Sequence, residues 1–336
     1  MWGQRRLAIL GLAGWLLACG AVRAEDSSDP AGDAYYALPE GNDVAAFARF
    51  LRKLSEFEPT SRAELQQYRK KAPLAMSKAA ARILELEKDP KSAAYQLARR
   101  VTLEKRSEAL TESNASAADR QAFLDELAAF IAAGPRGRQD RDLAMNYAMG
   151  LEFSSGGTEA AKAAYARLGA LFAESTDPAA ARAGKMMLGA GRRLGLVGQP
   201  LELTGTTLAG KPFDLASLRG KVVLVDFWAT WCGPCLAEVP NIKKNYEKYH
   251  GLGFDVVGVS IDEDRTALED YMADNPLPWT ILHDKENEGR HPATTDLGIF
   301  AIPCVILVGK DGKVISLNAR GAELGKHLAE LLEEKK

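Results

Sequence analysis

The feature that most constrains the fold is a pair of cysteines at the junction between a predicted strand and a predicted helix. The apolar run Val222 to Trp228 is typical of a buried strand, and Leu236 to Tyr249 has the composition of a helix. Between them lies the sequence Trp231-Cys232-Gly233-Pro234-Cys235. A helix N-terminus offers free N–H groups and positive partial charge, which stabilise a thiolate. Cys232 is therefore predicted to attack disulfides, and the pattern indicates thiol–disulfide exchange.

Residues 1–24 are predicted to be a signal peptide. Arg5 and Arg6 precede the apolar run Leu7 to Ala18, and small residues follow it. This order of charged, apolar and small residues is typical of an export signal. The run is short for a membrane span, which needs about 20 apolar residues. We therefore predict an exported protein of the periplasm or cell envelope, with a flexible linker at the polar residues 25–42.

Two interpretations of the cleavage site stay open. Leu16-Leu17-Ala18-Cys19 is typical of a bacterial lipoprotein, in which Cys19 would become the lipidated N-terminus. Val22-Arg23-Ala24 fits an ordinary signal peptidase site equally well. A lipid on Cys19 would be the only membrane contact that the sequence predicts, and export follows from either interpretation.

Length, charge and cysteine content exclude several classes of protein. The 336 residues suffice for two domains. A net charge of −2 without a long basic stripe argues against a nucleic-acid partner. Without Cys19, three cysteines remain: Cys232, Cys235 and Cys304. Exported proteins held together by disulfides usually contain more, so these cysteines are predicted to serve chemistry.

Residues 43–195 are predicted to form an all-helical domain of about seven helices, because apolar residues recur at three- and four-residue intervals. Ser61 to Glu64 has the form of a capping box, and Asp177-Pro178 is typical of a helix start. A plain bundle and divergent tetratricopeptide-like hairpins both stay open. A structural or docking role is the default prediction. The predicted breaks are at Pro59, Pro73, Pro90, Pro135, Gly156-Gly157 and Pro178.

Residues 196–336 are predicted to form a mixed sheet with helices on both faces, because strand and helix patterns alternate there. A small hairpin with its turn at Ala209-Gly210 comes first. The strands that follow are predicted at 221–228, 254–261, 279–282, 304–309 and 314–318, and the helices at 233–250, at 266–275 and from 322 onward.

These residues carry a family resemblance. Val225 to Cys235, with Ile302-Pro303 about 70 residues later, resembles thioredoxin. Three flanking segments are similar to the exported TlpA/ResA-like thiol–disulfide oxidoreductases: 205–211, 218–221 and 235–240. The resemblance covers roughly residues 197 to 334 and not the helical region. It implies an α/β thioredoxin-like fold, preceded here by the all-α domain, and a dithiol that works without a cofactor.

Four residues are the candidate catalytic set. We assign Cys232 as the attacking thiolate and Cys235 as the resolving thiol that releases the reduced substrate. Asp226 lies inside the apolar strand, so burial is predicted to raise its pKa. The resemblance implies that Asp226 exchanges a proton with Cys235 and that Glu238, one helical turn after Cys235, tunes the cysteines. A solvated position on the helix is the alternative for Glu238.

The resemblance also implies a substrate-binding set. Pro303 is expected in the cis form facing the cysteines, which leaves the backbone of Ile302 to pair with a peptide. Trp231 is expected to wall the site, whereas Trp228 could equally be core. Cys304 departs from the family pattern. It is either a third redox thiol or a small buried apolar residue, and the second interpretation is favoured.

The function predicted from the resemblance is reduction of disulfides in envelope proteins, apocytochromes c among them, with electrons from a membrane donor. Gly233-Pro234 favours a reductase, while an oxidase or isomerase stays open. A helical scaffold with an accessory redox domain is the alternative of a different class. A peroxiredoxin is excluded, because Val225 stands at the position that corresponds to that family's Pro-x-x-x-Thr motif and the second cysteine follows Cys232 after only three residues. No metal is predicted, since the histidines are scattered: His250, His283, His291 and His327.

Overall fold

The computed structural model describes residues 33–112, 115–284 and 291–333. The predicted signal peptide, Cys19 and the first part of the predicted linker lie outside these residues. Contacts divide the chain into two compact units, one up to Phe123 and the other from Leu124 onward. In the part of the chain that is described, no helix has the length and apolar character that a membrane crossing requires.

The first unit is helical, and its core is built from apolar side chains of three helices. Phe47, Leu51 and Leu54 are buried against small alanines such as Ala72 and Ala79. Tyr36 packs on the same core, so residues 33–36 of the predicted linker form an ordered 3-10 turn. The helices are α1 (Val44–Ser55), α2 (Arg62–Leu86) and α3 (Ala93–Glu112), and α4 (Ala117–Ala133) crosses the division between the units.

The sequence correctly predicts most ends of the helices that precede the sheet, but it does not predict the effect of Pro73. Ser61 accepts a hydrogen bond from the Glu64 N–H, and Asp177 accepts one from the Ala179 N–H, as capping residues do. Pro73 was expected to break a helix and instead lies inside α2. An interior proline costs about 3 kcal/mol. The helix continues because its alanine face is buried on both sides of the proline, at Ala72 and Ala75.

The second unit joins helices to a sheet. Its helices before the sheet are α5 (Arg138–Phe153), α6 (Thr158–Ala173) and α7 (Pro178–Leu194). Gly184 allows α6 and α7 to approach closely, because a Cβ there would lie 2.3 Å from the backbone nitrogen of Ala173. Seven helices thus precede the sheet in the described residues. The predicted domain border between residues 195 and 196 stays a prediction.

The mixed sheet is thioredoxin-like, as expected. Strand β1 (Thr204–Thr206) and strand β2 (Pro212–Asp214) form the predicted hairpin. The other strands are β3 (Val222–Trp228), β4 (Phe254–Ser260), β5 (Thr280–Leu282), β6 (Cys304–Val308) and β7 (Val314–Ser316). Their order in the sheet is β5-β4-β3-β6-β7. Strands β3, β4 and β5 are parallel, while β6 and β7 are antiparallel to their neighbours.

Helices cover both faces of this sheet. One face packs against α8 (Gly233–Tyr249), α9 (Arg265–Asp274) and α11 (Ala322–Leu332). The other face packs against α10 (Pro292–Asp296) and the chain that precedes β3. The amino-acid pattern does not predict α10, whose five residues are too few for a helical period. Since β3 is central, both of its faces are buried, which explains its uninterrupted apolar run.

Candidate active site

The two cysteines lie at the junction between the end of β3 and the start of α8. Cys232 is the N-cap of α8, and its Sγ accepts a hydrogen bond of 3.2 Å from the Cys235 N–H. The two sulfur atoms are joined in a disulfide. Cys232 is 6% exposed and Cys235 is 3% exposed, so solvent access barely distinguishes them. The cysteines differ in that Cys232 Sγ accepts a hydrogen bond from a backbone N–H at the helix start. This hydrogen bond stabilises a thiolate on Cys232 once the disulfide is reduced.

The two tryptophans beside the cysteines differ in role. Trp231 is 63% exposed and lies directly before Cys232. Trp228 is buried, and its ring lies 5.7 Å from that of Tyr271 in α9. Trp228 is therefore a core residue, which decides the alternative left open above, and Trp231 is available to a bound molecule.

Asp226 is buried in β3, on the same face of the sheet as the cysteines, since its neighbours Leu224 and Trp228 belong to that core. Burial and, to a smaller extent, the nearby charge of Glu238 together raise the pKa of Asp226 to about 7, against a smaller lowering by Arg320. The raised pKa was predicted from the apolar run. At neutral pH this carboxyl group is poised to accept or return a proton.

Glu238 is half-buried and hydrogen-bonded, which excludes the solvated alternative. Its Oε1 accepts from the backbone N–H of Gly321 at 2.8 Å and from Nδ2 of Asn241 at 2.6 Å. Asn241 also donates to the Gly321 carbonyl at 3.1 Å. These bonds fix the active-site helix to the loop that precedes α11.

The Ile302–Pro303 peptide bond is cis, as the resemblance implied. The carbonyl of Pro303 accepts a hydrogen bond of 3.1 Å from Arg320, which lies next to Gly321. The loop before α11 therefore reaches both α8 and the cis-proline. Sequence reasoning missed Arg320, because a single arginine in a loop gives no signal of the residue it will contact.

A second residue missed from the sequence is Asp262, which is 1% exposed just after β4. Its carboxylate accepts from the backbone N–H of Thr230 at 3.0 Å, from the Thr230 hydroxyl at 2.6 Å and from the Ser260 hydroxyl at 2.8 Å. Thr230 lies two residues before Cys232. The buried carboxylate thus holds the turn that presents Trp231 and Cys232.

Cys304 is on the other face of the sheet. It is packed with the core that contains Phe227, its partner across the β3–β6 pair, whereas its neighbour Val305 belongs to the core of the cysteine pair. Burial raises the pKa of the Cys304 thiol to about 11, against a lowering by the charge of Arg193. A protonated thiol that points away from Cys232 is a poor redox partner, which supports a packing role.

Two of the histidines, His283 and His291, are buried. His283 is buried, and its Nε2 lies 2.9 Å from the carbonyl of Asp262, whereas burial lowers the pKa of His291 at the start of α10. Among the described residues, no group of three or more histidine, cysteine, aspartate or glutamate side chains is placed to hold a metal ion.

Comparisons with known proteins show which family has a sequence similar to the region around this site. The family model described as Redoxin matches residues 188–330. The thiol–disulfide oxidoreductase ResA of Bacillus thuringiensis subsp. konkukian (strain 97-27) is 32% identical over 129 residues, which cover 38% of this chain and 72% of that protein. The chain belongs to the ResA family of thiol–disulfide oxidoreductases. The ResA of Bacillus subtilis (strain 168) is 27% identical over 108 residues, or 32% of this chain and 58% of that protein.

The solved structures similar to this ResA-family chain include the thioredoxin domain of a thiol–disulfide oxidoreductase from Bacteroides vulgatus. That domain is 27% identical, the match covers 40% of this chain and 95% of that one, and the TM-score is 0.37. Helices α1 to α6 lie before the residues that the Redoxin model matches. Family membership makes the chain an enzyme of thiol–disulfide exchange and leaves the helices unassigned.

Proposed function

We propose that the protein reduces disulfides in exported proteins with the Cys232–Cys235 dithiol. The Cys232 thiolate attacks one sulfur of a substrate disulfide, which forms a mixed disulfide and releases the first substrate thiolate. The Cys235 thiolate then attacks Cys232 Sγ, releases the second substrate thiolate and closes the enzyme disulfide. Two electrons from an external dithiol donor reopen it. The observation that carries the proposal is the place of Cys232 Sγ at the N-cap of α8.

Proton transfer is assigned to Asp226. Cys235 is buried and must lose its proton before it can attack, so it needs a base on the same side of the sheet. Asp226 is buried in that core with a pKa of about 7 and takes this proton, directly or through a water molecule. Glu238 acts on this step through its charge, which raises the pKa of Asp226.

Substrate binding is assigned to Trp231, Ile302 and Pro303. Trp231 offers an exposed aromatic surface beside Cys232. Ile302 and Pro303 lie directly before β6, and the backbone of Ile302 is proposed to pair there with an extended peptide. Disulfide-containing envelope proteins are the proposed substrates, with apocytochromes c as candidates, and a membrane reductant is the proposed donor.

A redox titration of the cysteine pair tests the direction of transfer. Gly233-Pro234 supports a reducing potential, near the value of about −270 mV for thioredoxin. A value near that of DsbA, about −120 mV, would overturn the proposal in favour of an oxidase. Reduction of insulin with a dithiol donor provides the activity assay, and C232S is the inactive control. If the wild-type protein does not reduce insulin, the scaffold alternative is favoured.

Export is proposed from residues 1–24, and the mature N-terminus tests it. A mass spectrum that shows a start at Glu25 excludes lipidation of Cys19. A start at Cys19 with the added mass of a lipid supports the anchor. An intact Met1 in protein from the native cell contradicts export.

A further inference from the structure

We propose that Arg193 in α7 is a positioning residue for substrate binding. With Glu152 in α5 and Tyr165 in α6, it fixes the segment of residues 296–300, and it thereby positions the backbone beside Pro303 on which a peptide substrate would pair. The inference rests on the proposed function, because it assigns the helices α5–α7 a part in recognising peptide disulfides.

Arg193 connects the helices to this segment directly. It is 6% exposed, and its Nε donates to the carbonyl of Leu297 at 3.0 Å. Its Nη2 donates to Glu152 Oε1 at 2.7 Å, in an ion pair that is almost buried. The adjacent Arg192 donates to the carbonyl of Asp296 at 3.1 Å. A buried arginine needs a paired charge, and Glu152 supplies it while leaving Nε for the loop.

Tyr165 completes the arrangement from α6. Its hydroxyl donates to Glu152 Oε2 at 2.7 Å, so Glu152 accepts from both the tyrosine and the arginine. Its ring stacks on Phe300, with the ring centroids 5.9 Å apart and the planes at 17°. The segment is therefore anchored by an arginine bond at Leu297 and by an aromatic stack at Phe300.

The backbones of α7 and the segment are in direct contact. A Cβ on Gly189 would lie 2.3 Å from the carbonyl oxygen of Thr295, and one on Gly298 would lie 2.2 Å from Met186 O and Ala190 N. Gly298 also has a φ of +56°, which other residues rarely adopt. No side chain fits between the two backbones, so the helix and the segment form one packed body.

This anchoring bears on the peptide edge because Phe300 lies only three residues before Pro303. Ala301 and Ile302 span the interval, so their backbone has little freedom to rearrange. A backbone edge that is already ordered loses no further conformational entropy of its own when a peptide binds. A small disulfide without a peptide backbone gains nothing from this order, so the helices should favour peptide substrates selectively.

The test compares two substrates of the full-length protein. R193K keeps the charge but loses the Nε bond to Leu297 and the planar fork. We expect KM for a disulfide-bonded synthetic peptide to rise at least fivefold with kcat unchanged. The rate with 5,5′-dithiobis(2-nitrobenzoic acid), which has no backbone to pair, should stay unchanged, as should the redox potential. R182K, on the exposed face of the same helix, is the matched control and should match the wild type.

Two gentler variants keep the test decisive if R193K folds poorly. Y165F keeps the ring on Phe300 and removes only the bond to Glu152, while F300L removes only the stack. Each should raise the peptide KM about twofold without affecting the small disulfide. Equal losses with both substrates, or no change with the peptide, overturn the inference. A wild-type protein that oxidises the peptide contradicts the proposed direction instead, and the dithiol peptide then serves for the same comparison.

Discussion

Glu238 in the active-site helix accepts a hydrogen bond of 2.8 Å from the backbone N–H of Gly321, 83 residues further along the chain. Because Arg320 next to it donates to the carbonyl of Pro303, one loop contacts both the cysteine-bearing helix and the cis-proline. Glu238 thus has a structural contact as well as an electrostatic effect on Asp226. The two can be separated by experiment.

E238Q separates them, since a glutamine oxygen can still accept from Gly321 while the charge is lost. The charge of Glu238 raises the pKa of Asp226, so its removal should lower that pKa from about 7. We expect the pH midpoint of peptide reduction to fall by up to about one pH unit. Rates measured from pH 5 to 9 check this. E247Q, on the exposed side of the same helix, should leave the midpoint in place.

D226N removes the proposed base and should slow the second step of exchange. The release of substrate from the mixed disulfide should lose its pH dependence near pH 7, and general-base catalysis is typically worth about 10²-fold or more. Quenched-flow trapping of the mixed disulfide measures this step. Unaltered profiles in both D226N and E238Q would rule out a proton relay through these carboxyl groups.

D226N should also stabilise the oxidised protein at high pH. The folded-state pKa of Asp226 is raised from 3.8 to about 7, so folding favours the protonated acid. Its contribution to stability is complete below pH 4 and is lost as the pH rises to about 7. The difference corresponds to at most about 4 kcal/mol. Urea unfolding at pH 4 and pH 8 should show a gain for D226N only at pH 8, and none for the exposed control D270N.

D262N should loosen the turn before Cys232. An amide has one acceptor oxygen where the carboxylate has two, so a buried donor of Thr230 or Ser260 loses its partner. This costs about 1–3 kcal/mol in the free energy of unfolding. The rate of alkylation of Cys232 by iodoacetamide in the reduced protein should change as well. Thermal unfolding and alkylation that both match the wild type would contradict this role.

C304S should leave the redox chemistry intact. Cys304 points to the face of the sheet opposite the cysteine pair, and burial keeps its thiol protonated with a pKa of about 11. Thiol trapping should therefore show the same oxidised and reduced forms in C304S as in the wild type. A mixed species in the wild type that disappears in C304S would establish a third redox thiol.

The sequence predicted what is encoded by neighbours along the chain. The strand, cysteine pair and helix from Val222 to Tyr249 follow from local apolar patterns and a helix start, and the structure confirms them. The cap at Asp177 is local in the same way. The helix break predicted at Pro73 was wrong, because burial of the α2 alanines outweighs the preference of proline to end a helix.

The contacts that shape the site could not be read from the sequence, because they join residues far apart. Asp262 bonds to Thr230 across 32 positions, and Arg193 bonds to Glu152 across 41. A buried ion pair or a carboxylate in a turn has no periodic signature. Only the packing of the elements brings such partners together.

The close approach of Gly189 and Gly298 has a practical consequence for cutting the chain. A fragment that starts at residue 196, the predicted start of the second domain, would lose the helix that covers Gly298 and would leave the carbonyl of Leu297 without its arginine. Such a fragment should be prone to self-association through the uncovered backbone. A fragment that starts before Arg138 retains α5, α6 and α7, and with them the helix that packs against Gly298 and Leu297.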